Sequence, residues 1–443
     1  MHKVEPVVFP NGERYPMLID DAGLPHFWAT LFITSQVRPS SAQARTLESY
    51  LSAIRHFMLW EEIQRRDVFK EFYNLNFLGA IDAELLRDHC MLKAADVKRW
   101  HSYQESQKVT PFQKNYPSAP RTLDSVSGDH AKTRYRRIVS YLVFTAKTML
   151  RKRPNVEEIN EQIDEMHKEL LAKKPKGGKS RTNTNPDDKA PDLEVINDFV
   201  AAVQWGSPRN PYKGEAQKKR NALAFNILYD TGMRAGELLG LRLGDIDYQL
   251  QVIKVVRRHD DPVDPRAKQP VPKTNPRDIP VTEDLLHQIR EYVQEVRANT
   301  PGAEMHPYLF VTHIDGPYIG RPLSDSGFVL FVTEAVNKLA QEADSYEREK
   351  LIQVIRRHGF RHNFNHMLSL QFDEHNERAK TDPGLKPYTE REQNQIRMYL
   401  CGWDSEETAQ NYMGRHTVQE ARRLMMDDMR EHSGKIRAKK KNK

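Results

Sequence analysis

The sequence predicts an α+β chain that is mostly helical, with an N-terminal helical domain, a basic linker and a C-terminal mixed domain carrying a small antiparallel sheet. Three observations predict this. Apolar residues recur at three- and four-residue spacing between 40 and 150, and again from 193 onward. Two short β-rich runs, LQVIKVVR (250–257) and RDIPV (277–281), interrupt the second helical stretch. Between the two helical stretches, KKPKGGKSRTNTNPDDKAP (173–191) has almost nothing apolar, so it cannot bury surface and reads as a flexible linker.

Composition narrows the partners. A chain of 443 residues is too long for one small core, so two or three domains are expected. Lys and Arg number 68 against 61 Asp and Glu, a net charge of +7 that favours a polyanion, although an ordinary basic surface would give the same excess. Two cysteines, Cys90 and Cys401, are too few for a disulfide framework or a zinc cluster and suit a reducing compartment. No run approaches the roughly 20 apolar residues that a membrane span needs, and no signal peptide opens the chain, so a cytoplasmic protein is expected.

Taken in order, residues 1–39 form an N-terminal extension. Asn11-Gly12 between short apolar runs signals a hairpin, and packing on the next domain is preferred over DNA contact as its role. Residues 40–172 form the helical domain. Leu47, Tyr50, Leu51, Ile54, Phe57 and Met58 make one stripe, with Arg45 and Arg55 off it. A second helix is expected over 82–105 and a third over 131–150, whose first turns read K-T-R-Y-R-R. The linker 173–191 adds six Lys and Arg, which suit a polyanionic partner.

The C-terminal domain covers 192–432. Helices are expected from Leu193 and over 216–230, the latter stopped by Gly232 in the left-handed conformation. Arg234 then opens a short helix in which Glu237 lies one turn on, on the same face. The strands 250–257 and 277–281 flank a long polar hairpin that contains Lys268 and Lys273, and a third strand is expected at 308–312. His358 and Arg361 sit three apart on a helix. The polar stretch 373–392 reads as an inserted loop. Asp404 and Glu407 read as a capping box for a helix through Tyr412, Thr417 and Glu420 as another, and 433–443 as a disordered basic tail.

Three motifs carry a resemblance: T-G-M-R-A-G-E-L-L-G-L (231–241), H-G-F-R-H (358–362) and C-G-W-D with Q-N-Y (401–412). Each is weak alone. In this order, and with Trp403 nine positions before Tyr412, the chain resembles the tyrosine recombinase (phage integrase) family, strongly over about 190–430 and weakly over 40–150. The resemblance implies the tyrosine recombinase fold, with 40–172 as the core-binding domain and 192–432 as the catalytic domain. It implies that Arg234, His358, Arg361 and Trp403 cage a phosphate, supported by Glu237. Tyr412 would then attack phosphorus, and Lys273 would protonate the leaving 5′ oxygen, with Lys268 a rival for that role. A surface ion pair is the alternative for Glu237, and a core aromatic for Trp403.

The activity implied is breaking and rejoining DNA through a 3′-phosphotyrosine, as the integrase or transposase of a mobile element. A type IB-like topoisomerase and an inert DNA-binding module are the alternatives. Neither cofactor nor metal is implied, in keeping with a sequence that has no Walker-type glycine loop and no Cys/His metal spacing. The partners implied are double-stranded DNA and further copies of the chain, a dimer per site and a tetramer in the synapse, with room for accessory proteins. Recombinases of this type pass a C-terminal helix to the next protomer, and docking in trans is preferred here for the helix after Tyr412.

Overall fold

The structure is a computed structural model that describes residues 2–40, 43–106, 123–177, 192–272, 274–343, 348, 355, 359–408 and 425. It divides into two compact units, Met1–Phe9 with Arg14–Arg181, and Pro10–Glu13 with Thr182–Lys443.

In the first unit, β1 (Lys3–Val8) and β2 (Arg14–Ile19) form an antiparallel hairpin in the register Val8 to Arg14. Six helices follow: α1 (Phe27–Phe32), α2 (Ala44–Gln64), α3 (Val68–Tyr73), α4 (Ala80–Met91), α5 (Ala94–Ser106) and α6 (Gly128–Leu150), and α7 (Val156–Ala172) closes the unit. The stripe Leu47, Leu51, Ile54, Phe57 is buried together with Trp60, against Tyr135, Ile138 and Leu142 of α6. The single helix expected over 82–105 is two. Leu92 is extended, because the chain there bonds sideways: Lys93 N–H donates to Asp124 O and Val126 N–H to Met91 O. A tertiary bridge replaces one turn of helix.

The second unit contains α8 (Leu193–Ala202), α9 (Glu215–Thr231), α10 (Ala235–Gly240), β3 (Ile246–Asp247), β4 (Val252–Val255), β5 (Arg277–Pro280), α11 (Glu283–Glu291), α12 (Asp325–Glu342), α13 (Gly359–Thr381) and α14 (Glu390–Cys401). The strands make an antiparallel sheet in the order β3-β4-β5, with Ile253 opposite Ile279. Around α9 the core is aromatic. Phe225 meets Phe199 edge-on at 5.1 Å, Phe331 at 5.4 Å, and stacks on Phe360 at 5.7 Å. Burial of this cluster fixes the start of α13 against α9.

The structure differs from two further expectations. Residues 308–312 are not a strand. Tyr308 and Val311 make only isolated bridges, to Arg242 and Pro322, and a proline cannot donate to extend a ladder. The third strand of the sheet is β3. Nor is 373–392 a loop throughout. Its first nine residues are the end of the 23-residue helix α13, and α14 begins at Glu390. The stretch Asp373–Lys380 is polar but free of Gly and Pro, and it carries a Glu377–Lys380 pair one turn apart, so nothing in it breaks a helix. Pro383 and Gly384 do.

Candidate functional site

The turn after α9 organises the site. Gly232 has φ of 59°, and a Cβ there would lie 2.5 Å from the Phe364 ring. Glycine both permits the left-handed turn and lets α13 approach. The carbonyl of Gly232 accepts from Arg361 Nη1 at 3.0 Å, and Arg361 Nη2 donates to the carbonyl of Cys401. The Arg361 guanidinium also lies under the Trp403 ring, 5.1 Å from its centroid. A single buried arginine thus joins the turn before Arg234 to the turn that carries Trp403.

Arg234 caps α10, with its side chain a quarter exposed. Its backbone N–H donates to Glu237 Oε2 at 2.9 Å, and its Nη1 is 3.7 Å from Glu237 Oε1. Glu237 is buried, not a surface ion pair. It receives two hydrogen bonds from Arg277, at 2.9 Å from Nη2 and 3.3 Å from Nη1, and one from the Thr274 hydroxyl. Burial alone would raise its carboxyl. The Arg277 charge, with donors from Arg277, Thr274 and the Arg234 backbone, outweighs that and holds it below the usual carboxylate range.

Arg277 is the residue that sequence reasoning missed. Along β5, Arg277 and Ile279 face the core while Asp278 and Pro280 face out. A charge on the buried side of an alternating strand needs a buried partner, and that was the available signal. Its Nε donates to the carbonyl of Leu400 at 2.8 Å. Beside it, Asn275 N–H donates to Gly402 O at 3.3 Å and Asn275 Nδ2 to the Asp404 carboxylate. Gly402, with φ of 63°, ends α14. A Cβ on it would meet Arg277 Nη1 at 2.8 Å and Thr274 Cβ at 3.0 Å. The end of the hairpin is therefore packed directly on the Trp403 turn. The Asp404 carboxylate, expected to cap the next helix, is engaged by Asn275.

The hairpin itself is tied to the body of the unit. Arg242 pairs with Asp261, which also accepts from the Tyr308 hydroxyl at 2.7 Å. Arg266 pairs with Asp264 at 2.8 Å and donates to the carbonyls of Leu239 and Leu323 at 3.0 and 2.9 Å. Asp261, Asp264 and Arg266 of this hairpin are thus held by largely buried ion pairs.

Of the seven residues singled out, Arg234, Glu237, Arg361 and Trp403 are brought together. Trp403 is buried with Cys401 against Phe364 and Met398, so its ring packs as a core aromatic does. Lys273, His358 and Tyr412 lie outside the described residues, as do Thr417, Glu420, most of the linker 173–191 and the tail. Among the described residues no helix is long and apolar enough to cross a membrane.

Residues 193–375 match the model of the phage integrase family. Tyrosine recombinase XerD of Halalkalibacterium halodurans is 26% identical over 140 residues, 32% of this chain, and the chain spans 39% of that protein's length. Among solved structures, XerA recombinase aligns over 91% of this chain and 98% of its own at 14% identity and a TM-score of 0.34. The Tn1549 transposon integrase, in complex with circular intermediate DNA, aligns over 67% of this chain and 80% of its own at 18% identity and a TM-score of 0.38. XerH recombinase, bound to a palindromic difH substrate, aligns over 78% and 85% at 16% identity and a TM-score of 0.38.

Proposed function

From the premise that residues 193–375 form a phage integrase family domain, we propose that the protein is a site-specific DNA recombinase, the integrase or transposase of a mobile element. The observation that carries this is the convergence of Arg234, Glu237, Arg361 and Trp403, which are far apart in sequence, on one buried network.

A phosphodiester repels nucleophiles, and attack concentrates charge on its non-bridging oxygens. Arg234, partly exposed beside a buried carboxylate that orients it, supplies a planar fork of donors for two of those oxygens. Arg361, His358 and Trp403 complete the cage, and preorganised donors of this kind supply most of a phosphoryl-transfer rate. The Tyr412 phenol gives its proton to solvent water as its oxygen attacks phosphorus. The P–O5′ bond breaks as the P–O(Tyr) bond forms. The departing 5′ oxygen takes a proton from Lys273, leaving a 3′-phosphotyrosine and a free 5′ hydroxyl. A 5′ hydroxyl from a partner strand then attacks the phosphotyrosine and releases Tyr412. The bond energy is kept throughout, so no nucleotide is consumed.

The helical unit and the linker bind the duplex backbone, and copies of the chain assemble on it, two per site and four at exchange. Its place of work is the nucleoid. The test uses nicked duplexes from the DNA that flanks the gene, so that the cleaved strand diffuses away and traps the intermediate. Wild type should give a covalent protein–DNA adduct that survives detergent. Tyr412→Phe should give none while still binding the same duplexes. Binding without an adduct in wild type would refute the reading.

A further inference from the structure

We propose that Arg277 is a positioning residue for this reaction, a strut that sets the spacing between the Arg234 side and the Trp403 side of the phosphate cage. The inference rests on the function proposed above and adds a residue that neither the motifs nor the family match assigns.

The geometry is two-sided. Toward α10, Arg277 grips both oxygens of the Glu237 carboxylate, at 2.9 and 3.3 Å, and that same carboxylate accepts the Arg234 backbone N–H and faces its Nη1. Toward α14, Arg277 Nε holds the carbonyl of Leu400, three residues before Trp403. All three guanidinium nitrogens donate inside the protein, and the side chain is only 2% exposed. Gly402 is the counterpart on the other side, since any Cβ there would meet the guanidinium at 2.8 Å. Only a planar fork with an additional Nε–H can hold a carboxylate bidentately and a carbonyl at once. A lysine keeps the charge but is a single point donor and cannot span the two. The Thr274 hydroxyl, also on Glu237, braces the same carboxylate from the hairpin.

The test compares two substrates built on a duplex that gives the adduct, one with the ordinary scissile phosphate and one with a methylphosphonate in its place. The methylphosphonate is uncharged, so its transition state needs less of the cage. Full-length Arg277→Lys should cleave the phosphate substrate roughly 100-fold more slowly in single turnover, the scale of a misplacement of about 1 Å. Its dissociation constant for the duplex should stay within about threefold of wild type, and its rate on the methylphosphonate should match wild type within the same margin. Thr274→Val keeps the shape and removes one hydroxyl, a smaller disturbance than the loss of a guanidinium, and it should show the same substrate-dependent pattern at a smaller size. Equal losses on both substrates, or no loss on the phosphate, would overturn the inference while leaving the recombinase reading intact. Failure of wild type to give the adduct on any of the nicked flanking duplexes would instead overturn the recombinase reading, and this inference with it.

Discussion

Glu237 is the residue whose environment says most about the site. A carboxylate at 2% exposure is costly unless donors surround it, and here Arg277, Thr274 and the Arg234 N–H do so. Glu237→Gln should keep the shape but leave the Arg277 charge buried without its counter-charge. A destabilisation of roughly 3 kcal/mol is expected in urea unfolding. Gly402→Ala tests the close approach: a left-handed alanine pressed on Arg277 and Thr274 should cost roughly 3 kcal/mol in the same measurement. Arg234→Ala should leave folding close to wild type, because the side chain is partly exposed, yet reduce adduct formation at least about a hundredfold. Arg234, Glu237, Arg361 and Trp403 were legible in the sequence because each sits in a short motif with fixed spacing. Arg277 was not. Its importance comes from contacts 40 and 123 residues away, which no local pattern encodes.

At the scale of elements, sequence periodicity located α2, α6, α8, α9 and the β4–β5 pairing, left α3, α7, α11, α12 and α14 unread, and failed where tertiary contacts decide. One helix over 82–105 became two because Met91 and Lys93 bond to 124–126. A polar stretch read as a loop continues α13 because polarity alone does not break a helix. Between α2 and α4, His56 and His89 stack at 4.2 Å, and each Nε2–H donates to the other's backbone carbonyl, at 3.1 and 3.0 Å, with Arg134 and Cys90 alongside. Burial lowers both, His89 to about 4 and His56 to about 2, the latter lowered further by His89 and Arg134. Both are therefore neutral in the folded state at pH values where the unfolded chain takes up protons. Stability should be full above about pH 6.5 and fall as pH drops below it, by at most about 1.4 kcal/mol per pH unit for each histidine. Glu61, raised by burial to about 7 in the same unit, works in the opposite sense, so the contrast that isolates the pair is with a variant. His89→Gln should flatten the acid limb of the urea midpoint plotted against pH, and an unchanged limb would refute this.

For the whole molecule, the proposed function requires phosphate contacts, for which the net charge of +7 is suited. If they neutralise six or more phosphates, affinity for the duplex should fall roughly a thousandfold or more between about 50 and about 200 mM salt. A flat response would mean that the chain does not engage the backbone widely. The proposed function turns on a phenol at position 412 that attacks DNA inside the cage built on Arg234 and Arg361. The most direct measurement is to digest the covalent adduct and identify the nucleotide-bearing peptide by mass spectrometry. The expected product is a phosphotyrosine link at Tyr412 joined to the 3′ end of the cleaved strand. A link at any other residue, or to a 5′ end, would contradict it.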